Sequence, residues 1–376
     1  MSQTTSVSNV SSVTNVGIIG CGSISNAYFN ACKKFPFMKV TSCADLFPEA
    51  AEAKAKEHGC NAVTVEQLLA DPTIGIVINL TIPKAHAETD LRILNAGKHA
   101  FSEKPFALTR AEGEAVVALA KKKGLRVGCA PDTVLGAAVQ TSRKLIDDGE
   151  IGEPVGFQAN MICGGHESWH PSPEFYYEKG GGPMFDMGPY YLHALITLLG
   201  PVKRVTGLTR TTFPTRTITS QPKNGKVMPV EIPTHIVSLL EFHNGAIGQL
   251  TTSFDVKHGA NAPAIEIFGT TGSISVPDPN GTGGPVKIKA HRYADWVEMR
   301  HTHPYKDGSR GVGVADMAIA IQKSRPHRAN DEIAMHALDI MQAIHEASDS
   351  GKHVLLTSSC ARPAAMRADL ADWVLE

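Results

Sequence analysis

The fold is decided by residues 17–25, which read Gly-Ile-Ile-Gly-Cys-Gly-Ser-Ile-Ser. They end a β-branched run and lead into a helical stretch, so they are expected to form a strand-to-helix turn. Gly20 permits the tight turn, and Gly22 lets the backbone approach a pyrophosphate at the helix N-terminus. Ser25 stands in place of the third glycine of the usual fingerprint, and its small side chain still allows close packing. The turn predicts a dinucleotide site that includes Gly20, Cys21, Gly22, Ser23 and Ile24. A purely structural glycine turn is the alternative.

Around this turn, short β-branched runs alternate with amphipathic helical stretches as far as Gly149. The helix over 48–58 is clearly delimited, because Pro48 suits a first turn and Gly59 suits the position after the last one. Such alternation predicts an α/β domain with a doubly wound parallel sheet. Its strands are predicted over 15–19, 39–44, 75–80, 100–102 and 126–129.

The pattern changes after Gly152, where longer strands with a period of two residues appear. Asn244-Gly245 lies between two of them and is a strong hairpin signal. These features predict a C-terminal α+β domain with a large open, mainly antiparallel sheet. Its long strands are predicted over 155–162, 202–212, 236–242 and 246–254. We therefore expect a disordered tail (1–12), a Rossmann NAD-binding domain (13–132) and a substrate-binding and oligomerisation domain (133–376).

Composition and charge exclude several classes of protein. The chain has 376 residues, 36 Lys and Arg against 37 Asp and Glu, and a formal net charge of −1, which argues against nucleic-acid binding. No apolar run approaches the roughly 18 residues of a membrane span. The seven cysteines form no C-x-x-C pair and their number is odd, which favours a reducing compartment. The Ser/Thr-rich residues 1–12 lack signal-peptide features, so the cytoplasm is expected.

Asp45 ends the second predicted strand, at about the spacing where an acidic residue binds the ribose hydroxyls of a dinucleotide. The residues that follow it are Leu46, Phe47 and Pro48. None of them is an arginine that would receive a 2′-phosphate. Asp45 therefore favours NAD over NADP.

Two further strand ends carry polar residues. One is Thr81-Ile82-Pro83 with His86, and the other is Glu103-Lys104-Pro105. In open α/β sheets, ligands bind outside the carboxyl ends of the strands. These residues are therefore expected to line one crevice together with the glycine turn. The alternative for Glu103 and Lys104 is a solvated charged turn. The predicted cofactor contacts at these two ends are Thr81, Ile82, Pro83, His86, Glu103 and Lys104.

Together with these motifs, residues 180–190, which read Gly-Gly-Gly-Pro-Met-Phe-Asp-Met-Gly-Pro-Tyr, resemble the glucose-fructose oxidoreductase / inositol dehydrogenase (Gfo/Idh/MocA) family over nearly the whole chain. The resemblance implies a Rossmann domain, a C-terminal open-faced sheet that builds the substrate site, and hydride transfer between nicotinamide and a carbohydrate hydroxyl. It also implies that Lys104 bonds the reacting oxygen and that Asp186 orients neighbouring groups. Tyr190 stands where the family often has histidine, which leaves the proton carrier open between Tyr190 and a histidine.

The spacing of Asp186, Tyr190 and His193 places them on one face of a helix that would begin near Gly182. Pro189 is tolerable only in a first turn, which places that helix start close to Asp186. The phenol of Tyr190 is a poor base at its ordinary pKa of about 10. A nearby ammonium such as Lys104 is expected to lower that pKa. We predict Lys104, Asp186 and Tyr190 as catalytic residues and His193 as a further substrate contact. The alternatives are a packing role for Tyr190 and a hydrogen-bonded helix histidine at position 193.

Residues 166–170 read His-Glu-Ser-Trp-His, a literal H-E-x-x-H motif, which on a helix would bind zinc. Pro171 follows directly, and a residue before proline is biased away from helical conformation. We interpret the segment as a substrate loop, in which Trp169 stacks on a sugar and His166 and His170 bond its hydroxyls. No metal is predicted; the alternative is a manganese or zinc site formed by His166, His170 and another histidine.

These features predict an NAD-dependent dehydrogenase of a sugar, sugar derivative or cyclitol. One alternative is an NAD-requiring glycosidase that oxidises its substrate transiently so that the aglycone is eliminated. Another is a non-catalytic NAD-sensing regulator, against which the presence of Lys104, Asp186 and Tyr190 argues. Since a large sheet has one face to cover, a homo-oligomer, either a dimer or a tetramer, is expected.

Overall fold

The computed structural model describes residues 13–308 and 310–376. The tail predicted over residues 1–12 lies outside the described residues. Within the described part, the chain forms a six-stranded sheet, a nine-stranded sheet and a two-stranded ribbon. No helix in this part is long and apolar enough to cross a membrane.

The first sheet is parallel throughout, with the strand order β3-β2-β1-β4-β5-β6. This order confirms the predicted doubly wound fold. The two-residue strand β3 is the one strand of this sheet that the sequence pattern missed, and both of its residues are exposed. The elements are β1 (Thr14–Ile19), α1 (Ser25–Lys34), β2 (Met38–Ala44), α2 (Pro48–His58), β3 (Asn61–Ala62), α3 (Val65–Ala70), β4 (Ile76–Asn79), α4 (His86–Asn95), β5 (His99–Ser102), α5 (Arg110–Lys123) and β6 (Val127–Cys129).

The helix ends of this half follow from local sequence. Helix α2 spans the predicted residues, with Pro48 in its first turn and Gly59 in the left-handed conformation after its last. Helix α5 begins with a capping box, in which Thr109 and Glu112 bond each other's backbone N–H groups, and Gly124 ends it. Pro48 and the capping box thus determine where the loops that follow β2 and β5, at the carboxyl edge of the sheet, end and their helices begin.

The nine-stranded sheet has the order β16-β15-β14-β13-β7-β12-β11-β8-β17. Its neighbouring strands are antiparallel except for the parallel pair β7 and β12, which confirms a large, mainly antiparallel sheet. The elements of this half are α6 (Ala137–Asp147), β7 (Pro154–Ile162), α7 (Gly182–Asp186), α8 (Gly188–Leu199), β8 (Val202–Arg210), β9 (Thr215–Thr217), β10 (Val227–Pro229), β11 (His235–Phe242), β12 (Ile247–Ser253), β13 (Ile265–Gly269), β14 (Gly272–Val276), β15 (Val286–Ala290), β16 (Val297–Met299), α9 (Val312–Gln322), α10 (Asp331–Ser350) and β17 (Val354–Leu355).

One face of the large sheet packs against helices and the other is open. Helices α8 and α10 contact strands β7 and β8 on the covered face, and every residue of α8 is buried. In β11 the buried Ile236 and Leu240 alternate with the exposed Val237 and Leu239, as expected for a sheet with one solvated face.

The last part of the chain returns to the first sheet. The backbone N–H of Cys129 donates to the carbonyl of Ala329 at 3.1 Å, and Gly128 forms a β-bridge with Asn330. The side chain of Asn330 then caps α10 by accepting from the N–H of Ile333. The outer edge of β6 is thereby covered, and α10, which contacts β6 on one side and β8 on the other, connects the two sheets.

Candidate active site

The glycine turn after β1 has the geometry that a dinucleotide requires. Gly20 has a φ of +99°, and a Cβ there would lie 2.5 Å from the carbonyl oxygen of Leu80, whereas nothing lies within 4 Å of a Cβ built on Gly22. The Ser25 hydroxyl closes the turn by donating to the carbonyl of Gly22 at 2.7 Å. The open space at Gly22, next to the first turn of α1, fits a pyrophosphate that approaches the backbone.

Asp45 lies beside this turn, at the end of β2. Its carboxylate accepts a hydrogen bond from the backbone N–H of Cys21 at 2.6 Å and another from that of Phe47 at 3.0 Å. The structure therefore brings the predicted acidic residue and the predicted glycine turn together. The neighbouring Leu46 and Phe47 are largely exposed, so the carboxylate has an apolar border on one side.

His86 connects the other two strand ends. Its Nδ1 lies 2.7 Å from the carbonyl oxygen of Pro105 and its Nε2 lies 2.9 Å from that of Thr81. Burial lowers the pKa of this imidazole, which favours the neutral ring. His86 therefore fixes the spacing between the loop after β4 and the loop after β5, in addition to lining the cleft.

A cleft of about 550 Å³ lies at the carboxyl edge of the first sheet and extends towards the second half of the chain. Ten residues singled out from the sequence line it: Ser23, Ile24, Thr81, Ile82, Pro83, His86, Glu103, Lys104, Asp186 and Tyr190. Further lining residues were not predicted individually, and they include Leu108, Phe175, Tyr176, Lys179 and Phe185. Phe175 and Tyr176 lie in the segment that follows the H-E-x-x-H motif, whose richness in aromatic residues is the signal that could have found them.

Lys104, Asp186 and His166 form a chain of hydrogen bonds beside the cleft. The ammonium Nζ of Lys104 lies 2.6 Å from Oδ1 of Asp186 and 2.8 Å from its backbone carbonyl oxygen. The other carboxylate oxygen, Oδ2, lies 3.1 Å from Nε2 of His166. The side chains of Lys104 and Asp186 are 17% and 13% exposed, so their attraction is only weakly screened by water.

The charges of this pair are set by opposing effects. Burial alone would lower the pKa of Lys104, but the Asp186 carboxylate raises it above its ordinary value. Burial alone would raise the pKa of Asp186, but Lys104 and then His166 lower it to about 2. Both groups are therefore ionised at neutral pH, with Lys104 as a permanent donor at the cleft.

Tyr190 lies next to two cations. The Lys104 ammonium is 5.4 Å, and the Arg310 guanidinium carbon 5.0 Å, from the centroid of the Tyr190 ring. The expectation that Lys104 leaves this phenol with a lowered pKa is nevertheless wrong. Burial raises the pKa of Tyr190, and that effect outweighs the opposing ones of Lys104 and Arg310. Tyr190 is therefore a neutral hydroxyl at pH 7.

The segment forms two helices that meet at Met187, where the sequence predicted one helix; the second, α8, begins close to Asp186, as Pro189 indicated. Asp186 is the last residue of α7, while Pro189 lies in the first turn of α8, where its missing N–H costs nothing. Asp186 and Tyr190 still reach the same cleft, but His193 does not. The His193 side chain is buried in the core, and its Nδ1 lacks a hydrogen-bond partner among the described residues. The prediction that His193 contacts the substrate is therefore wrong, and His193 is a core residue.

The H-E-x-x-H segment is a turn rather than a helix, as its proline predicts. Glu167 accepts from the Tyr177 hydroxyl at 2.5 Å and from Arg216 at 2.7 Å, so its carboxylate is already occupied. Within residues 13–308 and 310–376, no group of three or more His, Cys, Asp or Glu side chains is placed to hold a metal ion. His170 and Trp169 lie beside His166, outside the residues that line the cleft.

Glu103 is buried, so the alternative prediction of a solvated charged turn does not apply to it. It is 9% exposed, and its carboxylate accepts from the Tyr28 hydroxyl at 2.8 Å and from the backbone N–H of Lys104 at 3.0 Å. Glu103 therefore ties α1, which follows the glycine turn, to the strand end that carries Lys104.

Comparison with known proteins agrees with this geometry. Residues 14–130 match the model of an oxidoreductase family with an NAD-binding Rossmann fold, and residues 139–275 match the GFO/IDH/MocA C-terminal domain. A levoglucosan dehydrogenase of Pseudarthrobacter phenanthrenivorans is 27% identical over 288 residues, which are 69% of this chain and 72% of the relative. A 1,5-anhydro-D-fructose reductase of Ensifer adhaerens is 26% identical over 265 residues, 69% of this chain and 74% of the relative.

A solved structure of levoglucosan dehydrogenase in its apo form has the same fold. It superposes with a TM-score of 0.82 at 22% identity, over 93% of this chain and 100% of that one. The two-sheet arrangement is thus shared along the full length of that protein.

Proposed function

Because this chain belongs to the Gfo/Idh/MocA oxidoreductase family and begins with an NAD-binding Rossmann domain, we propose that it transfers a hydride between nicotinamide and a carbinol carbon of a sugar, sugar derivative or cyclitol. The observation that carries this proposal is the ion pair of Lys104 and Asp186. It lies in a cleft that also contains Ser23 and Ile24 of the dinucleotide turn.

The cofactor would be held by the turn from Gly20 to Ile24, by Asp45 and by the loop from Thr81 to Pro83. NAD, when bound, supplies the nicotinamide carbon that accepts or donates the hydride. Asp45 would bind the ribose hydroxyls and repel a 2′-phosphate, which favours NAD over NADP. His86 would hold the loop after β4 at a fixed distance from the loop after β5, and Glu103 would hold the latter against α1, through the hydrogen bonds described above.

Lys104 would hold the oxygen of the reacting carbon. Its ammonium is kept charged by Asp186, so it donates a hydrogen bond that strengthens as that oxygen gains negative charge during hydride loss. Groups aimed at developing charge in this way act on the transition state more than on the bound substrate. Asp186 orients Lys104, and His166 orients Asp186.

Tyr190 would carry the proton. In the oxidative direction, the ionised form of Tyr190, a phenolate, would take the proton of the substrate hydroxyl and become a neutral phenol, while the C–H bond gives up its electron pair as hydride. In the reductive direction, the neutral phenol returns the proton to the alkoxide. Since burial raises the pKa of Tyr190, the phenol suits the donor role at neutral pH, and oxidation is favoured in alkaline solution.

Two observations support a neutral sugar or cyclitol as the substrate. The relatives are named for uncharged sugars, and the residues around the cleft are of both charge signs. The cleft is lined by both acidic and basic residues, among them Glu178 and Lys179, and also by the aromatic residues Phe175 and Tyr176. The further substrate contacts that we propose are His166, Trp169 and His170 on the neighbouring turn.

The proposal is tested by NADH formation at 340 nm with a panel of aldoses, anhydrosugars, inositols and glycosides, each offered with NAD and with NADP. We expect NADH from at least one neutral sugar or cyclitol and weaker activity with NADP. Release of an aglycone without accumulation of NADH would contradict net dehydrogenation. Tight NAD binding with no turnover of any panel member would contradict catalysis itself.

We also propose that the chain divides after residue 132, that it acts in the cytoplasm, and that it forms a homo-oligomer, either a dimer or a tetramer. Support for association comes from the open face of the large sheet, where Leu208 is 74%, Leu239 50% and Val237 38% exposed. Strands β8 and β11 bring Leu208 and Val237 opposite each other. A monomer mass in light scattering would contradict the oligomer.

A further inference from the structure

A cluster of five aromatic rings lies beside the Asp186 carboxylate. His166, whose imidazole contacts Asp186, has its ring centroid 4.2 Å from that of Tyr176 and 5.3 Å from that of Trp169. The His170 ring lies 5.3 Å from Trp169 and 5.4 Å from Phe175. We call the two exposed members of this cluster, Trp169 and Phe175, the aromatic platform.

The platform is open to solvent at one end and joined to the cleft at the other. Trp169 is 60% and Phe175 42% exposed, although both are rings that would normally be buried in a core or an interface. Phe175 and Tyr176 line the same cleft as Lys104 and Asp186. The exposed rings are thus continuous with the place where the reacting carbon is held.

Hydrogen bonds from two other segments of the chain hold the turn that carries these rings. Arg216, whose side chain is 4% exposed, bonds the Glu167 carboxylate at 2.7 Å and the Gly164 carbonyl at 3.1 Å, and it also pairs with Asp255. The Ser220 hydroxyl donates to the carbonyl of His170 at 2.5 Å. A surface held in this way loses little conformational entropy when a ligand binds.

The charges around the platform are neutralised within the protein. Arg216 pairs with both Glu167 and Asp255, and Glu174 pairs with both Lys223 and Lys226. Three cations thus face three carboxylates, and these groups offer no net charge to an anionic or a cationic ligand. A ligand with a flat, apolar face and hydroxyls at its rim fits better, because the C–H face of a pyranose can lie on an aromatic ring.

We propose that Trp169 and Phe175 form a second subsite, which binds a pyranose ring joined by a glycosidic bond to the ring that is oxidised. The substrate is then a disaccharide or longer saccharide, oxidised at the ring that lies next to Lys104. This inference rests on the proposed function, since it takes the cleft as the place of oxidation. It makes Trp169 and Phe175 specificity-determining residues with no part in the chemistry.

The test compares D-glucose with maltose, cellobiose and phenyl β-D-glucopyranoside, and extends to the corresponding galactose- and xylose-based pairs. Binding to the full chain with NADH present is measured by calorimetry, and NADH formation from NAD is measured in parallel. The variants are Trp169→Ala, Trp169→Phe and Phe175→Ala. Trp296→Ala is the matched control, because Trp296 is also exposed and lies in the distant edge region of the large sheet.

We expect at least one disaccharide to bind about tenfold or more tightly than its monosaccharide. Trp169→Ala should remove about tenfold of that affinity, a typical size for an aromatic contact. It should reduce monosaccharide binding by a clearly smaller factor than disaccharide binding, and Trp169→Phe should retain part of the disaccharide advantage. Trp296→Ala should change neither affinity.

Four results would overturn the subsite. The first is that no disaccharide binds more tightly than its monosaccharide, and the second is that Trp169→Ala weakens the binding of both by the same factor. The third is that only the affinity for the phenyl glucoside depends on Trp169. The fourth is that Trp169→Ala changes the oligomer mass without changing any sugar affinity. A disaccharide advantage without any NADH formation would contradict the proposed oxidation and leave the subsite standing. NADH formation from monosaccharides without that advantage would do the reverse.

Discussion

Replacing Lys104 with methionine removes one charge from the cleft and keeps most of the side-chain volume. The carboxylate of Asp186 then loses its hydrogen bond to Nζ and keeps the one to His166. Since the Asp186 side chain is only 13% exposed, water cannot replace the ammonium fully. The variant is therefore expected to lose both catalysis and stability.

The size of the stability loss follows from the pKa of Asp186. That pKa is lowered from 3.8 to about 2 in the folded protein, which corresponds to about 2.5 kcal/mol of stabilisation at neutral pH. Because the folded pKa is depressed, this stabilisation is present above pH 4 and is lost as the pH falls towards 2. Removing one partner of a buried pair typically costs about 3–5 kcal/mol, so we expect a loss of about 3 kcal/mol at pH 7.5.

The sign of the pH dependence reverses in the variant. Without the ammonium, burial raises the pKa of Asp186, so the ionised carboxylate destabilises the fold and protonation relieves it. The deficit of Lys104→Met relative to the unmodified protein should therefore shrink between pH 7.5 and pH 5. The kcat for sugar oxidation should fall about a hundred- to thousandfold, as for loss of one donor to a developing oxyanion.

Urea unfolding at the two pH values measures the stability, and NADH formation measures kcat. Lys84→Met is the matched control, because Lys84 lines the same cleft but is exposed. The double variant Lys104→Met with Asp186→Asn should recover much of the stability and none of the activity. A single variant that is as stable as the unmodified protein at pH 7.5, or whose deficit is the same at pH 5, would refute this account of the pair. Unchanged kcat would refute the catalytic role of Lys104.

Three further predictions concern the proton, the cofactor and the turn behind the site. Since burial raises the pKa of Tyr190, kcat/KM for oxidation should rise about tenfold per pH unit from 7 to 9, and Tyr190→Phe should abolish that rise; a plateau below pH 8 would assign the proton to another group. Asp45→Asn should reduce the preference for NAD over NADP in fluorescence titrations, and an unchanged ratio would count against the ribose contact. Arg216→Met should lower the free energy of unfolding by about 3–5 kcal/mol because two buried carboxylates, Glu167 and Asp255, lose their partner; denaturation curves identical to the wild type would count against this.

The fold could be predicted where local sequence and long-range structure agree. The strand-to-helix turn at Gly20, the ends of α2 at Pro48 and Gly59 and the hairpin at Asn244-Gly245 all depend on backbone conformations that a few neighbouring residues determine. The helix break at Met187 was missed for the opposite reason. The spacing of Asp186 and Tyr190 satisfies one continuous helix. Pro189 indicated a helix start close to Asp186, where α8 begins, but it did not show that a separate short helix, α7, precedes that start.

The parts of the site that were missed depend on contacts between distant segments. Nothing near Glu167 in the sequence shows that Arg216 will neutralise it. The H-E-x-x-H motif alone therefore does not reveal whether its glutamate is free or ion-paired. The pKa of Tyr190 is a similar case, because the nearby ammonium was visible from the motif but the extent of burial was not. Burial is a property of the assembled fold, and here it determines that the pKa of Tyr190 is raised rather than lowered.

In the mechanism proposed above, the contact of His166 with Asp186 affects the charge balance around Lys104. An alkoxide that develops next to Lys104 would compete with Asp186 for the same ammonium, so a carboxylate bonded to Lys104 alone would weaken the donor that this mechanism requires. His166 binds the second carboxylate oxygen at 3.1 Å and draws part of its charge away from Lys104. Arg310, 5.0 Å from the Tyr190 ring, adds a second positive charge on the side of the phenol. The site can therefore stabilise a transient negative charge while its resting pair stays neutral, which suits an uncharged substrate that becomes anionic only in the transition state.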